Sequence, residues 1–527
     1  MSLPPGRRRR PSLDLDLDLD LDLDLDRRIV AARSGLGAAG TVENLAPATP
    51  SAGRLPGEPT GTRAGQTARA EGGAGDRTAL GRVRASTPAL TCPAMTRRLR
   101  PGLRPVTEHT QVTTAELFFD VVFVFAFIQV NALMVKETEP LRIAHGLLVF
   151  TMLWWSWSLF AWLGNRVRAN YGLSRLTVLV VTPVMFVLAV TIPEAFQDLA
   201  GGVNTALWFV ACFVLVRVLY LALRLYASSG LTGRDLTALV VPMAVASVLL
   251  LVAALLPRSA LDPGRVQLGQ VTLWAVAVAV DYGFGMALPV PARVISSVRH
   301  WTERHNLIVI IALGEVLVSI GAAGTNLPGS PGLFAASALA VVIAGALEWI
   351  YFDLSTLAGE HALRAAGPAQ RVALARDGYS YLHLPMIAGV ILLALGLKHV
   401  PALVGNTDAY RRGDPLDDVG RWAMYGGVAL FLVAHAAFQW RLSPTVARSV
   451  VWPRLTGAAI VLALLPVTAA ISALRSLAWL AAVCLFTSVT EVVVSRGHRR
   501  RLRRALADEA EATTPGTGEP GPGLSPF

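Results

Sequence analysis

The chain has 527 residues, of which 53% are hydrophobic and only 16% charged, against the ~25% charge of an average soluble protein. With a mean hydropathy of +0.51, this excludes an ordinary soluble enzyme and points to a polytopic membrane protein. The net charge of +11 comes almost wholly from arginine, the lysines being Lys136 and Lys398; the arginines lie between apolar stretches, which fits cytoplasmic loops beside anionic lipid and excludes a nucleic-acid surface.

Residues 1–110 are a different polymer. "LDLDLDLDLDLDLD" (Leu13–Asp26) is followed by Gly, Pro, Ala and Arg, and the segment reads as a disordered, basic, low-complexity tail. A start at Met95 is a second expectation, and no apolar h-region marks a cleavable signal. Cys92, Cys212 and Cys484 have no CxxC spacing, so neither a zinc site nor a disulfide framework is expected.

From Glu116 onward the fold class is all-α: a transmembrane helix bundle over 111–497. About twelve spans, each near the ~20 residues that cross a bilayer, begin near Glu116, Ile143, Arg175, Gly202, Leu236, Leu268, Asn306, Gly332, Tyr379, Arg421, Arg454 and Ser476. Residues 498–527 read as a disordered cytoplasmic tail.

Short-loop arginines set the orientation. With the N-terminus in the cytoplasm, the inner loops hold Arg166, Arg168 and Arg175; Arg224 and Arg234; Arg293, Arg299 and Arg304; Arg364, Arg371 and Arg376; and Arg441, Arg448 and Arg454. The outer loops "QDLAGG" and "TNLPGSP" hold no basic residue, and Arg411 and Arg412 are balanced by Asp408, Asp414, Asp417 and Asp418. An even span count returns the C-terminus to the cytoplasm, where "RGHRRRLRR" follows the last span.

Ionisable groups inside spans are costly and each asks for a reason. The set comprises Glu116 and Asp120, Arg217, Asp281, Glu315, Glu348 and Asp353, His383, His435 with Gln439, and Glu491. Glu116 and Asp120 are four residues apart and share one helix face. On the inferred topology nearly all fall in the cytoplasmic half, with Glu315 near the middle. That pattern predicts a hydrated cavity open to the cytoplasm, with Glu315 toward its floor. The structural alternative is a helix dipole that welcomes Glu116 and Asp120, Arg217 as a static partner of Asp281 or Glu315, and Glu491 and Gln439 snorkelling to the interface. The tryptophans of "LWWSWSLFAW" (Leu153–Trp162) read as an interfacial belt or packing. Pro183, Pro193, Gly283, Gly285 and Pro385 are candidate helix interruptions.

No P-loop, HExxH or GxSxG is present, and no lysine is placed to hold retinal. The reading is therefore without cofactor or metal, and an enzyme is disfavoured.

Several blocks together carry a resemblance. "ELFFDVVFVFAFIQV", "ERHNLIVIIALGEVLVSIG", "WIYFD" and "YLHLPMIAGVILLALGLKHV" stand in this order and resemble the bacterial low temperature requirement A (LtrA) family over residues 110–495. Asn306, where glycine is common, and the basic "NRVRAN" depart from its pattern. The resemblance implies a multi-pass inner-membrane protein linked to growth in the cold, without a settled substrate. Its matched acids are Glu116, Asp120, Glu303, Glu315 and Asp353, with His383. The expectation is a permease in the lipid bilayer for a small solute or ion, with Glu315 and Asp281 as central sites, Glu116, Asp120 and Asp353 in a vestibule, and Arg217 as counter-charge. The alternatives are a non-transporting scaffold or sensor and, third, a lipid-modifying enzyme using the carboxylates and His383.

Overall fold

The computed structural model describes residues 103–513, apart from residue 109 and the connections 136–139, 197–202, 229–230, 257–261, 288–293 and 406–412. The LD repeat, Met95, Lys136, Arg293, Arg411, Arg412 and the final Pro/Gly-rich stretch lie outside the described residues.

Helices α1 (Thr114–Val135), α2 (Pro140–Gly164), α3 (Gly172–Thr191), α4 (Thr205–Tyr226), α5 (Gly233–Leu255) and α6 (Pro263–Ala287) form the first half. The second half is α7 (Val298–Gly324), α8 (Pro331–Phe352), the short α9 (Ser355–Ala365), α10 (Pro368–Leu374), a π-helical stretch Ala375–Leu382, α11 (His383–Leu397), α12 (Val400–Gly405), α13 (Asp418–Leu442), α14 (Pro444–Leu464) and α15 (Ala473–Thr513). No strand occurs among the described residues. Ten helical stretches are long and apolar enough to cross a membrane. The two remaining long helices are α6, diluted by Gln267, Gln270 and Asp281, and α14, whose apolar part is the shorter Ser449–Leu464. They occupy the places expected for the sixth and eleventh spans.

Oxygen side chains start several helices by accepting first-turn N–H groups. Asn204 does so for α4, Thr232 with Asp235 for α5, Ser297 for α7, Ser330 for α8 and Asp417 for α13. Pro183 is absorbed within a continuous α3, and Pro193 lies in the 3-10 turn that ends it. Pro385, which has no N–H to continue an α ladder, follows the π stretch.

Side-chain to backbone hydrogen bonds tie helices that are distant in sequence. Tyr282 Oη donates to the Thr151 carbonyl (2.9 Å), Ser488 Oγ to the Ala346 carbonyl (3.2 Å) and Tyr425 Oη to the Ser476 carbonyl (2.8 Å). These tie α2 to α6, α8 to α15 and α13 to α15. The two halves also repeat a packing order. In the first, α1 packs on α2 and α3, α3 on α4, and α4 on α5; in the second, α7 packs on α8 and α11, α11 on α13, and α13 on α14. The α11–α13 contact is the closest: a Cβ at Gly389 would lie 2.5 Å from the Gly427 carbonyl oxygen, and one at Gly427 2.5 Å from the Gly389 oxygen. Small residues permit such backbone approach between membrane helices.

The tryptophans of α2 pack inside. Trp154, Trp155, Trp157 and Trp162 are buried, whereas Trp208, Trp349, Trp422, Trp440, Trp452 and Trp479 are exposed. The exposed ones stand near helix ends, apart from Trp452 within α14, as interfacial anchors do. The last helix continues to Thr513, beyond the boundary at 497 expected from sequence. Its Arg, Leu, Ala and Glu residues are good helix formers, and an Arg499–Asp353 ion pair ties it to the end of α8.

Candidate functional site

The most connected polar groups lie between α1 and α7, one helix from each half. Thr113 and Glu116 form a capping box: the Thr113 N–H (3.0 Å) and hydroxyl (2.9 Å) donate to Glu116 Oε2, and the Glu116 N–H reaches back to Thr113 Oγ1 (3.4 Å). The same carboxylate receives Arg304 from α7 at 2.9 Å and His300 Nε2 at 3.1 Å. The Asn165 amide lies 3.3 Å from His300 Nδ1; with the amide as donor, Nε2 is left as the imidazole donor to Glu116. Asn165 also donates to the Ser297 carbonyl (2.6 Å) and accepts the Ser296 N–H (2.8 Å), holding the entry to α7.

One turn along, Arg304 donates to Asp120 Oδ1 at 2.7 Å, and so does the Trp157 indole at 2.8 Å. Glu116, Asp120, His300 and Arg304 are all buried. Charges in such a place persist only when paired and hydrogen-bonded; one guanidinium bonds an oxygen of each carboxylate, while Asp120 Oδ2 is left without a hydrogen-bond partner. A cavity of about 20 Å³, lined by Glu116, Arg304, Ser174 and apolar side chains, adjoins them; that is room for one water. The segment before α1 crosses this end of the bundle. Ser297 Oγ donates to the Glu108 carbonyl (2.8 Å), and the Val106 N–H to the Arg166 carbonyl (3.2 Å).

A second rung lies toward the other ends of the same helices. Asn131 Nδ2 donates to Glu315 Oε1 at 2.9 Å, Ser319 Oγ donates to that oxygen at 2.8 Å, and Lys398 Nζ stands 3.7 Å from it. The pairs Glu116–His300, Asp120–Arg304 and Asn131–Glu315 all span 184 residues. The two helices are therefore parallel and keep one register over about four turns.

The other expected site residues are partitioned among separate pairs. Asp281 of α6 pairs with Arg217 of α4, which resolves the choice between Asp281 and Glu315 as partner of Arg217. Glu491 does not snorkel: it is buried and receives Arg454 at 2.6 and 3.0 Å, and Arg454 also donates to Ser355 Oγ (2.9 Å). Gln439 is likewise buried. Asp353 pairs with Arg499. Glu303 pairs with Arg299 (2.7 Å) on its own helix. Glu348 is exposed on α8 beside Trp349 and joins none of these pairs. Among the described residues, no hydrogen bond or ion pair links Asp281 to Glu315.

His383 belongs to a buried aromatic cluster. Its Nδ1 lies 3.0 Å from the Gly378 carbonyl, and its Nε2 2.9 Å from the Tyr351 hydroxyl, which is 3.2 Å from Asn306 Oδ1. Tyr379 stacks on it, and His305 stands edge-on. The π stretch here is held from outside: the Trp154 indole donates to the Ser380 carbonyl (2.7 Å) and the Trp162 indole to Ser380 Oγ (2.9 Å). Among the described residues, no group of three or more His, Cys, Asp or Glu is placed to hold a metal.

Sequence reasoning missed His300, Arg304, Asn165, Trp157 and Asn131. The available signal was the i,i+4 spacing of His300 and Arg304, which matches that of Glu116 and Asp120. Nothing in the sequence marks Lys398 as a neighbour of Glu315, and Arg454 reads there as a loop arginine.

A bundle of apolar helices with apolar exterior and paired charges within defines a multi-pass membrane protein. A family model described as bacterial low temperature requirement A protein (LtrA) matches residues 111–489. The chain belongs to that family. An uncharacterised protein of Rhizobium meliloti (strain 1021) is 29% identical over 309 residues, covering 55% of this chain and 69% of that protein. No solved structure matches.

Proposed function

We propose that this LtrA protein is a permease of the bacterial plasma membrane, with both termini cytoplasmic, that moves a small solute or ion and supports growth in the cold. The observation that carries the reading is the pair of buried polar rungs along α1 and α7. They lie where one half meets the other, and parallel repeats facing one another across such a seam are a common design of transporters. Short-loop arginines support the orientation. Opening of the seam toward the cytoplasm would expose Glu116, Asp120 and Arg304 as the lining of a polar cavity with Glu315 deeper, while Arg217–Asp281 braces the first half. Purified protein in liposomes tests this: flux of protons, alkali cations or small anions above that of empty liposomes, reduced by Glu315→Gln and Asp281→Asn, supports it, and no flux of any probe refutes it.

A second reading is a non-transporting membrane scaffold. It is favoured by the closure of the Glu116–Arg304–Asp120 network beneath residues 103–113. In that case Glu315→Gln restores cold growth to a deletion strain as fully as the unaltered chain does.

A further inference from the structure

The second rung contains two polar atoms that lack a hydrogen-bond partner: Glu315 Oε2 and Asn131 Oδ1. Their residues are 1% and 0% exposed. Both atoms are acceptors, so neither can satisfy the other while Glu315 is ionised. A hydrogen on Glu315 Oε2 satisfies both. Its O–H would have Asn131 Oδ1 as acceptor and, with the existing Asn131 Nδ2 bond to Oε1 (2.9 Å), would complete a two-bond acid–amide pair. Lys398 stands beside this pair, Nζ 3.7 Å from Oε1, with its side chain 18% exposed.

We propose that Glu315 is a proton-binding site at which a proton and the Lys398 ammonium compete for one carboxylate. Unloaded, the carboxylate faces the ammonium. In loading, a proton from the water at the Lys398 end takes a lone pair of Oε2 and forms an O–H bond. The neutral acid then pairs with Asn131, and the ammonium loses its counter-charge and is free to turn to water. Unloading breaks the O–H bond, returns the proton to water and restores the ion pair. The groups facing Glu315 are Asn131 from α1, Ser319 from α7 and Lys398 from the end of α11. The charged residue of α8, Glu348, is near that helix's other end, and α12 carries none. His399, next in sequence, is engaged by Asp417 at 2.9 Å.

This deepens the permease reading by naming the coupling ion, and it rests on that reading only for the proton's role in transport. The test is pH-difference infrared spectroscopy on the purified full-length protein. We expect a buried carboxylic-acid carbonyl band that grows as pH falls, is lost in Glu315→Gln, shifts in frequency in Asn131→Leu and is stronger at the same pH in Lys398→Met. The last two variants keep the test decisive should Glu315→Gln fail to fold. A band unchanged in these variants, or no such band in the unaltered protein, overturns the proposal. A band without flux in liposomes removes the permease and leaves the proton site; flux without the band removes the proton site and leaves the permease.

Discussion

Asp120 and Arg304 meet at 2.7 Å between two parallel helices, and the 184-residue register that joins them also joins Asn131 to Glu315. In the first rung the buried Arg304 guanidinium bonds both carboxylates directly; in the second the part-exposed Lys398 stands 3.7 Å from a single carboxylate. This difference separates the groups that hold the halves together from the group best placed to change its charge.

Arg304→Met leaves Glu116 and Asp120 buried with only neutral donors, and breaking a buried ion pair from one side costs about 3–5 kcal/mol. The variant is expected to lose much of its thermal stability in detergent. Combining it with Glu116→Gln and Asp120→Asn is expected to recover part of that loss, because no charge is then left buried alone. A triple variant less stable than Arg304→Met contradicts the pairing.

Gly164 is a steric requirement of the same site. A Cβ there would overlap Glu116 Oε1, with Arg304 at 3.7 Å. Gly164→Ala should displace Glu116 and lower the melting temperature, whereas Gly345→Ala, with open space around it, should be neutral or slightly stabilising through helix propensity. Equal effects of the two would contradict the close packing of Gly164 on the carboxylate.

Gly389 and Gly427 control how closely α11 approaches α13. Valine at either position is expected to force the helices apart and reduce the yield of folded protein, while Gly426→Ala, which meets nothing within 4 Å, is expected to be tolerated. Size-exclusion profiles of the purified variants distinguish these outcomes.

Arg217 and Asp281 are an isolated buried pair, so their energies should be strongly coupled. Arg217→Ala and Asp281→Ala are each expected to destabilise, and the double variant to lose less than the sum. An additive double variant would mean that the pair does not form.

The helices were legible in the sequence because a bilayer span announces itself by unbroken hydropathy. The starts expected at Gly332 and Arg421 fall within a few residues of α8 and α13. Partners were not legible. An arginine at a span boundary looks the same whether it reaches water, as expected of Arg304 and Arg454, or is buried against carboxylates, as both are. The α2 tryptophans carried the same ambiguity, since indoles suit both an interface and a buried donor role. Sequence places Glu315 near the middle of the membrane, but depth along a helix says nothing about neighbours, and its charged neighbour is Lys398.

The most direct measurement is the accessibility of residue 315. Glu315→Cys, in a chain whose buried Cys212 and Cys484 are replaced by serine together with Cys92, is treated with a membrane-impermeant thiol reagent from each face of the membrane. Transport through the α1–α7 seam predicts modification from the cytoplasmic face and, in the alternate state, from the Lys398 face. No modification from either face would contradict the account.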